Sequence, residues 1–172
     1  MKKHILTLAL SIIFFTGLGL DATAQMPNEG TFSGTVSYAG TYKMIPIDKE
    51  RFILTYENTG VRVEDSKTGP FHLVATHNIG IMYFAKGVGV LRGYITWVDK
   101  DGDKVTWELT ETETKFGPDP AKGTGKLVAG TGKFTGIQGS MEYTRQNLRP
   151  VADMTNQAIS FGKGTWKIVG PK

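Results

Sequence analysis

The sequence predicts an all-β protein, folded as a closed antiparallel barrel of about eight strands with little helix. Short β-branched and aromatic runs recur along the chain, and Gly, Asp or Pro residues separate them. Glycine is abundant, at 22 residues against 7 prolines, which suits tight turns between strands. Beyond the N-terminal segment no stretch keeps a helical period over several turns. Because nothing resembles a helix that would cover a sheet edge, we expect the sheet to close on itself.

The N-terminal segment, residues 1–24, is typical of a secretory signal peptide. Lys2 and Lys3 precede an uncharged apolar run over residues 5–20, and Ala22-Thr23-Ala24 matches an A-x-A cleavage site. We predict cleavage near Ala24, a periplasmic or secreted product, and a single β-barrel domain over residues 25–172. The alternative is an uncleaved membrane anchor, for which the run is short. No later segment of the sequence predicts a membrane span.

Composition excludes several classes of function. The chain has no Cys, which excludes disulfides, thiolate metal sites and a catalytic Cys. Its 20 Lys and Arg exceed its 16 Asp and Glu by only four, a dispersed excess that does not indicate a nucleic-acid partner. No G-x-S-x-G elbow or complete phosphate-binding loop is present. The sequence therefore indicates no cofactor.

Each predicted strand is a short run bounded by turn residues. The runs cover residues 32–39, 51–56, 60–64, 71–76, 79–85, 88–98, 104–112, 126–129, 138–145 and 165–169. Glu57-Asn58-Thr59 predicts a hairpin turn between the second and third runs, and His77-Asn78 predicts a break between 71–76 and 79–85. Residues 146–157 predict either one short helix or a loop.

The clearest hairpin covers residues 91–112 and turns at residues 99–103, where Gly102 is free to take a positive φ. Alternate residues form one apolar face and one polar face. The apolar face consists of Leu91, Ile95, Trp97, Val105, Trp107 and Leu109. The polar face consists of Arg92, Tyr94, Thr96, Thr106, Glu108, Thr110 and Thr112. We predict that the apolar face lines the interior.

Two sets of residues are candidate metal ligands, and neither has a convincing pattern. Asp99, Asp101 and Asp103 are spaced like the start of an EF-hand loop, but a glycine lies between the second and third aspartates. A polar hairpin turn is the preferred interpretation, with a weak surface calcium site as the alternative. His72 and His77 are five residues apart across a predicted turn, so we expect hydrogen bonding from them and no metal site.

Four carboxylates fall on or beside predicted strands: Glu57, Glu64, Glu108 and Glu142. Two of them could meet inside a barrel and share a proton. Outward, solvated positions are the default expectation.

The most distinctive run is Gly130-Thr131-Gly132-Lys133-Phe134-Thr135-Gly136-Ile137-Gln138-Gly139-Ser140, followed by Tyr143. It resembles the G-T-G-[KR]-[FY]-x-G-[IA]-x-G signature of allene oxide cyclase-like and dirigent-like barrels. The segment 93–104 also resembles exported bacterial proteins of this fold. The resemblance implies a calycin-like closed barrel of eight antiparallel strands with an apolar lumen. The run contains no nucleophile, acid or base, so what it implies is architecture and not activity.

Three functions from different classes are compatible with these observations, and the sequence favours the first. The first is binding of a small apolar molecule, such as a lipid, an isoprenoid or a pigment, in the lumen. The predicted ligand-binding residues in the lumen are Trp97, Trp107, Leu91, Ile95, Leu109 and Phe134.

The second function is a cofactor-free cyclase or isomerase, or a dirigent-type enzyme, that steers a reactive intermediate. It requires a polar group such as Glu108, Tyr94 or Arg92 on the lumen side. The third is a surface-interaction protein whose barrel is filled by its own side chains. Since the resembled families often form trimers, the chain could also assemble as a homo-oligomer, a trimer or a dimer.

Overall fold

The structure, a computed structural model, describes residues 26–170. The predicted signal peptide lies outside the described residues. Eight strands run through them: β1 (Glu29–Pro46), β2 (Arg51–Glu64), β3 (Val74–Ala85), β4 (Val88–Val98), β5 (Lys104–Lys115), β6 (Ala121–Gly130), β7 (Ile137–Asn147) and β8 (Thr155–Ile168). One 3-10 turn, η1 (Gly132–Phe134), precedes β7. In this part of the chain no helix has the length and apolar character that crossing a membrane requires.

Each strand pairs antiparallel with the next one along the chain, and β8 pairs with β1 to close the barrel. Closure gives every strand a hydrogen-bonded neighbour on both sides, so no sheet edge remains. The predicted fold class, a closed antiparallel barrel of eight strands with little helix, is confirmed.

Two predicted turns are wrong, because residues 57–59 lie inside β2 and residues 77–78 lie inside β3. Asn58 and Asn78 stand opposite each other in the β2–β3 register, and both side chains are buried in the lumen. Asparagine is a common turn residue, so its presence at these positions suggested breaks. Here it faces inward from the middle of a strand.

The C-terminal strand was predicted too short. β8 begins at Thr155, ten residues before its predicted start, and residues 148–154 form a loop without a helix. The glycines of β8 weakened its strand pattern. Gly164 is required by packing, since a Cβ there would lie 2.8 Å from the Phe32 ring.

The β4–β5 hairpin has its apolar face inside the barrel, as predicted. Ile95 pairs with Trp107 and Trp97 pairs with Val105, and all four side chains are buried. They belong to an aromatic core that fills one end of the barrel, which we call the closed end. Phe71, in the loop between β2 and β3, inserts into this core and has no exposed surface.

The glycine-rich run forms the turn between β6 and β7. Gly136 has a φ of +79°, and a Cβ at that position would overlap the carbonyl oxygen of Val169. Phe134 and Ile137 are buried, so the run turns the chain and contributes to the core. This agrees with the predicted role of the run as a sharp corner.

Candidate ligand-binding site in the barrel lumen

The end of the barrel opposite the aromatic core opens into a pocket of about 570 Å³, which we call the funnel. Its walls are mostly apolar, because the inward positions near this rim carry aliphatic and aromatic side chains. The apolar lining includes Tyr42, Leu54, Met82, Phe84, Phe116 and Leu148. A concave, mostly apolar pocket of this size is typical of small-molecule sites.

The funnel ends on Tyr56, Thr114 and Arg145, and Arg145 connects it to buried polar groups deeper in the lumen. Arg145 on β7 and Glu111 on β5 form a bidentate ion pair, with Nη2 to Oε2 at 2.7 Å and Nε to Oε1 at 3.0 Å. Tyr143 donates a hydrogen bond to Glu111 Oε1 at 3.2 Å, and the Thr114 hydroxyl donates to Oε2. We refer to Glu111, Arg145, Tyr143, Tyr38 and Tyr56 as the polar cluster.

The position of Glu111 follows from the alternation of β5. Val105, Trp107 and Leu109 face inward, and Glu111 is the next residue in that series. The β4–β5 register shifts beyond this point, so Thr114 is also buried and reaches the same carboxylate.

Gly123 makes room for the cluster on the neighbouring strand β6. A Cβ at Gly123 would lie 2.5 Å from the Tyr143 hydroxyl oxygen. Any larger residue there would displace the tyrosine that donates to Glu111.

Burial and the Glu111 charge together determine the protonation of the cluster. Burial, followed by the negative charge of Glu111, raises the pKa of Tyr143 far above its usual value. Burial likewise raises the pKa of Tyr56 and Tyr38. Burial alone would lower the pKa of Arg145, but the hydrogen bond and charge of Glu111 outweigh burial and raise it. The tyrosines are therefore hydroxyl donors, and Arg145 is a cation, at any physiological pH.

A second space of about 50 Å³ lies deeper in the lumen, and we call it the inner chamber. It shares Tyr56, Met82, Arg145 and Asn156 with the funnel, so the two spaces meet at these residues. Tyr56 donates to Asn78 Oδ1 at 3.3 Å across the chamber wall. Arg62, on β2, also lines the chamber.

All six predicted lumen residues are buried inside the barrel, in two different places. Leu91, Ile95, Trp97 and Leu109 line the inner chamber. Trp107 and Phe134 pack in the closed end, away from the funnel. Their role in ligand binding stays a prediction.

The polar residues that an enzyme was expected to use lie outside the lumen. Arg92 and Tyr94 are exposed on the outer face of β4, where Arg92 donates to Thr110 Oγ1 at 2.8 Å. Glu108 is half-buried on the opposite side of β5 from the inward residues. This is the orientation that we predicted for the polar face. The condition of the second function, that one of these groups lies on the lumen side, is not met, because period-two alternation directs them to the outer surface.

The four carboxylates singled out by sequence do not include the one in the polar cluster. Glu57 and Glu142 are on the outer surface, and Glu57 pairs with His77 at 2.8 Å. Glu64 is buried near the closed end, which corrects the expectation that it would be solvated. Burial raises the pKa of Glu64.

The aspartates of the β4–β5 turn are bound by a lysine. Lys133 forms ion pairs with Asp99 and, at 2.7 Å, with Asp101, while Asp99 Oδ1 accepts from the backbone N–H groups of Asp101 and Asp103. His72 accepts a backbone hydrogen bond from Glu64 at 3.3 Å. Among residues 26–170, no group of three or more His, Cys, Asp or Glu side chains could hold a metal ion.

Sequence reasoning missed Glu111, Arg145, Asn58 and Asn78. Glu111 could have been found by extending the inward series of β5 by one more step. Its charge argued against an inward position, because an unpaired buried carboxylate is costly. Its partner Arg145 is 34 residues away in sequence, and nothing local to either residue indicates the pairing.

Comparison with known proteins shows that this chain is similar in fold to a solved structure. No family model matches the chain, and no curated protein matches it. Among solved structures, it is similar to a pterocarpan synthase dirigent protein, with a TM-score of 0.51 and 11% sequence identity. The match covers 83% of this chain and 93% of that chain. The eight-stranded closed barrel of this protein therefore has a dirigent-like fold.

Proposed function

We propose that this protein binds a small, largely apolar molecule in the barrel lumen. The apolar body of the ligand lies in the funnel, and one oxygen-containing group meets the polar cluster. The observation that carries the proposal is that an apolar pocket of about 570 Å³ ends on Tyr56 and Arg145, and that Arg145 is paired with the buried Glu111 behind it. A small number of polar groups at the base of an apolar pocket is enough to orient a ligand and to give specificity.

The chemistry of the cluster indicates the kind of polar group. Tyr56 and Tyr143 keep their protons and donate them to other buried side chains. The hydroxyl pair of Tyr38 and Ser160 retains one donor for a ligand, and Asn156 Oδ1, which has no partner among the described residues, offers an acceptor. A hydroxyl or carbonyl oxygen on an otherwise apolar molecule can use both kinds of partner. Hydroxylated or oxidised lipids, isoprenoids and pigments belong to this class.

Two measurements test the proposal. The first is mass spectrometry of organic extracts from the natively isolated protein, in which we expect a stoichiometric apolar compound. The second is titration with N-phenyl-1-naphthylamine, a neutral apolar fluorophore, which we expect to bind saturably at one molecule per chain.

A pair of variants locates the binding. Asn156 lies where the funnel meets the inner chamber, so Asn156→Trp should weaken binding of the fluorophore by roughly tenfold or more, about 1.4 kcal/mol. The matched control is Asn28→Trp, since Asn28 is exposed just before β1. Equal binding by both variants would place the fluorophore elsewhere and contradict the proposal.

The second candidate function is dirigent-type catalysis, in which the lumen holds a reactive intermediate in one conformation without a cofactor. The dirigent-like fold and the burial of an acid, a guanidinium and tyrosines where the funnel meets the inner chamber favour it. Holding reacting atoms in a fixed geometry that excludes water can supply much of a rate enhancement.

Turnover of the extracted compound distinguishes catalysis from binding. If the protein is a dirigent-type enzyme, incubating it with the extracted compound should yield one stereoisomer of a product, measured by chiral chromatography. Glu111→Gln should abolish the stereoselectivity, whereas Glu108→Gln, on the outer side of the same strand, should retain it. Recovery of the unchanged compound would leave binding as the function.

A further inference from the structure

The inner chamber contains a buried cation that the polar cluster does not use. Arg62 is 1% exposed, and within residues 26–170 its Nε and Nη2 groups have no hydrogen-bond partner. Its guanidinium lies against two aromatic rings, 4.6 Å from the Trp97 ring centroid and 4.9 Å from that of Phe32. These cation–π contacts hold the plane of the guanidinium in position without occupying its N–H donors.

A second donor lies on the same chamber. The indole N–H of Trp97 is buried, and no acceptor contacts it in the part of the chain that the structure describes. Both Arg62 and Trp97 line the chamber wall. A buried donor without an acceptor costs free energy, and a buried cation costs more.

The chamber wall also includes Glu111, whose charge Arg145 compensates. It includes as well the Oδ1 atoms of Asn58 and Asn156, which have no hydrogen-bond partner within residues 26–170. With Arg62 added to the Glu111–Arg145 pair, the wall carries one uncompensated positive charge, which favours an anion.

We propose that the inner chamber is an anion subsite that takes a carboxylate, held by the Arg62 fork and the Trp97 N–H. The planar guanidinium presents parallel donors that match the two oxygens of a carboxylate. The chamber volume of about 50 Å³ has room for roughly three water-sized groups, which fits a carboxylate and excludes a longer polar chain.

The protonation of Arg62 supports the subsite. Burial lowers the pKa of Arg62 to about 10, and the negative charges of Glu64 and Asp65 only partly oppose that effect. The guanidinium is still a cation at neutral pH. It therefore attracts an anion inside a region of low dielectric, where such attraction is strongest.

The carboxylate has two possible sources, a free small anion or the end of a molecule whose body lies in the funnel. The second source rests on the proposed function, since it requires a ligand that passes between Tyr56 and Arg145 into the chamber. The protein would then select amphiphilic or aromatic carboxylic acids over the corresponding alcohols.

The experiment compares the full-length wild-type protein with the variant Arg62→Met and with the control variant Arg92→Met. Arg92 is exposed on the outer face of β4, so the control removes the same charge outside the lumen. One arm measures the melting temperature against increasing sodium formate. The other measures binding of 3-phenylpropionate and of neutral 3-phenylpropanol by calorimetry.

We expect formate to raise the melting temperature of the wild type and of Arg92→Met, and not that of Arg62→Met. We expect the wild type to prefer 3-phenylpropionate to 3-phenylpropanol by roughly tenfold or more. Arg62→Met should lose that preference while its affinity for the alcohol is unchanged. A positive result in either arm supports the subsite, and the arm that is positive identifies the source of the carboxylate.

Other results separate this inference from the proposed function. If acid and alcohol bind equally well and formate has no Arg62-dependent effect, the funnel binds ligands and the anion subsite is wrong. If formate acts through Arg62 but neither aromatic compound binds, the subsite stands and the proposed function fails for this ligand class. If no effect depends on Arg62, the subsite is overturned.

Stability measurements exclude a structural explanation. A residue kept for folding would destabilise the protein strongly when replaced. Arg62 makes no hydrogen bond through Nε or Nη2 to any residue that the structure describes, so Arg62→Met should lower the urea midpoint only slightly, by the lost attraction between Arg62 and the buried Glu64. If Arg62→Met fails to fold, Trp97→Phe serves instead, because it removes the N–H and keeps an aromatic ring. That variant should lose several-fold in carboxylate affinity, and unchanged affinity would contradict the proposal.

Discussion

At the scale of single residues, Glu111 and Arg145 depend on each other. Both are buried, and within residues 26–170 the bidentate contact supplies two of the four hydrogen bonds that the Glu111 carboxylate accepts and two of the three that the Arg145 guanidinium donates. Either charge alone would be buried without compensation, which costs several kcal/mol. Replacing either Glu111 or Arg145 by an uncharged residue should therefore be tolerated only when the other residue is replaced as well.

Glu111→Gln should lower the free energy of unfolding by about 3 kcal/mol, because Arg145 then remains as an uncompensated buried cation. Urea unfolding measures the loss. Glu108→Gln is the control, since Glu108 is half-buried on the outer side of the same strand, and we expect a change within about 0.5 kcal/mol. Similar losses in the two variants would show that the Glu111 charge is not compensated as described.

The raised pKa values of the tyrosines in the polar cluster predict that the stability of the folded protein depends on pH in the alkaline range. The pKa of Tyr143 is raised in the folded state by burial and by Glu111, so its contribution to stability is complete below the unfolded pKa of about 10. Above that pH the unfolded chain releases the phenol proton and the folded chain keeps it. Stability therefore falls as pH rises.

Tyr143→Phe should make this fall shallower by about 1.4 kcal/mol per pH unit above pH of about 10. Urea unfolding across that range gives the slopes, and comparing slopes removes the constant cost of the lost hydrogen bond to Glu111. Tyr56→Phe should have a similar effect, because burial raises its pKa as well. A slope identical to that of the wild type would show that Tyr143 ionises while the protein is folded.

At the scale of elements, the glycine-rich turn between β6 and β7 brings two backbone segments together. Gly136 combines a positive φ with close approach to the Val169 carbonyl, whereas Gly102 in the β4–β5 turn has a φ of +85° and open space at its Cβ position. The two glycines therefore separate the cost of backbone conformation from the cost of close approach.

Gly102→Ala should cost about 1 kcal/mol of stability, the expense of a left-handed conformation for a residue with a Cβ. Gly136→Ala should cost about 3 kcal/mol, because the added methyl group also displaces Val169. Chemical denaturation of both variants measures the difference. Equal losses would show that the turn relaxes to accept the methyl group.

At the scale of the whole molecule, the barrel is divided into a filled half and an accessible half. The closed end holds interlocking rings, and Phe71 is at its centre, with ring centroids 5.3–5.8 Å from Phe32, Trp97, Phe134 and Trp166. The rings come from β1, β4, β8, η1 and the loop after β2. The filled half therefore ties distant parts of the chain together and leaves the other half free for a ligand.

Phe71→Ala should destabilise the protein by about 4 kcal/mol, since it leaves a cavity among these rings. Leu73→Ala is the control in the same loop, because Leu73 is 64% exposed and should change stability by no more than about 0.5 kcal/mol. Thermal unfolding compares the two. Binding of the neutral fluorophore to folded Phe71→Ala should be unchanged, because the funnel is at the opposite end; weakened binding would show that the two halves are coupled.

Sequence patterns alone predicted the all-β class, the closed barrel and the orientation of the β4–β5 hairpin. These follow from local rules, because alternate residues of a strand face opposite sides and glycine-rich or polar segments end strands. Leu91, Ile95, Trp97 and Leu109 were placed inside on that basis. The same rules failed at Asn58 and Asn78, because a polar residue facing a lumen gives the same local pattern as a polar residue in a turn.

The positions of the buried polar side chains depend on contacts between distant strands, which local sequence patterns do not show. Glu111 is tolerated inside the barrel because Arg145, brought beside it through β6 and β7, compensates its charge. Arg62 is held inside by the rings of Phe32 and Trp97, which come from two other strands. Each of these side chains is polar and by local rules belongs outside. Its true position depends on partners far away in sequence, and closure of the barrel brings those partners together.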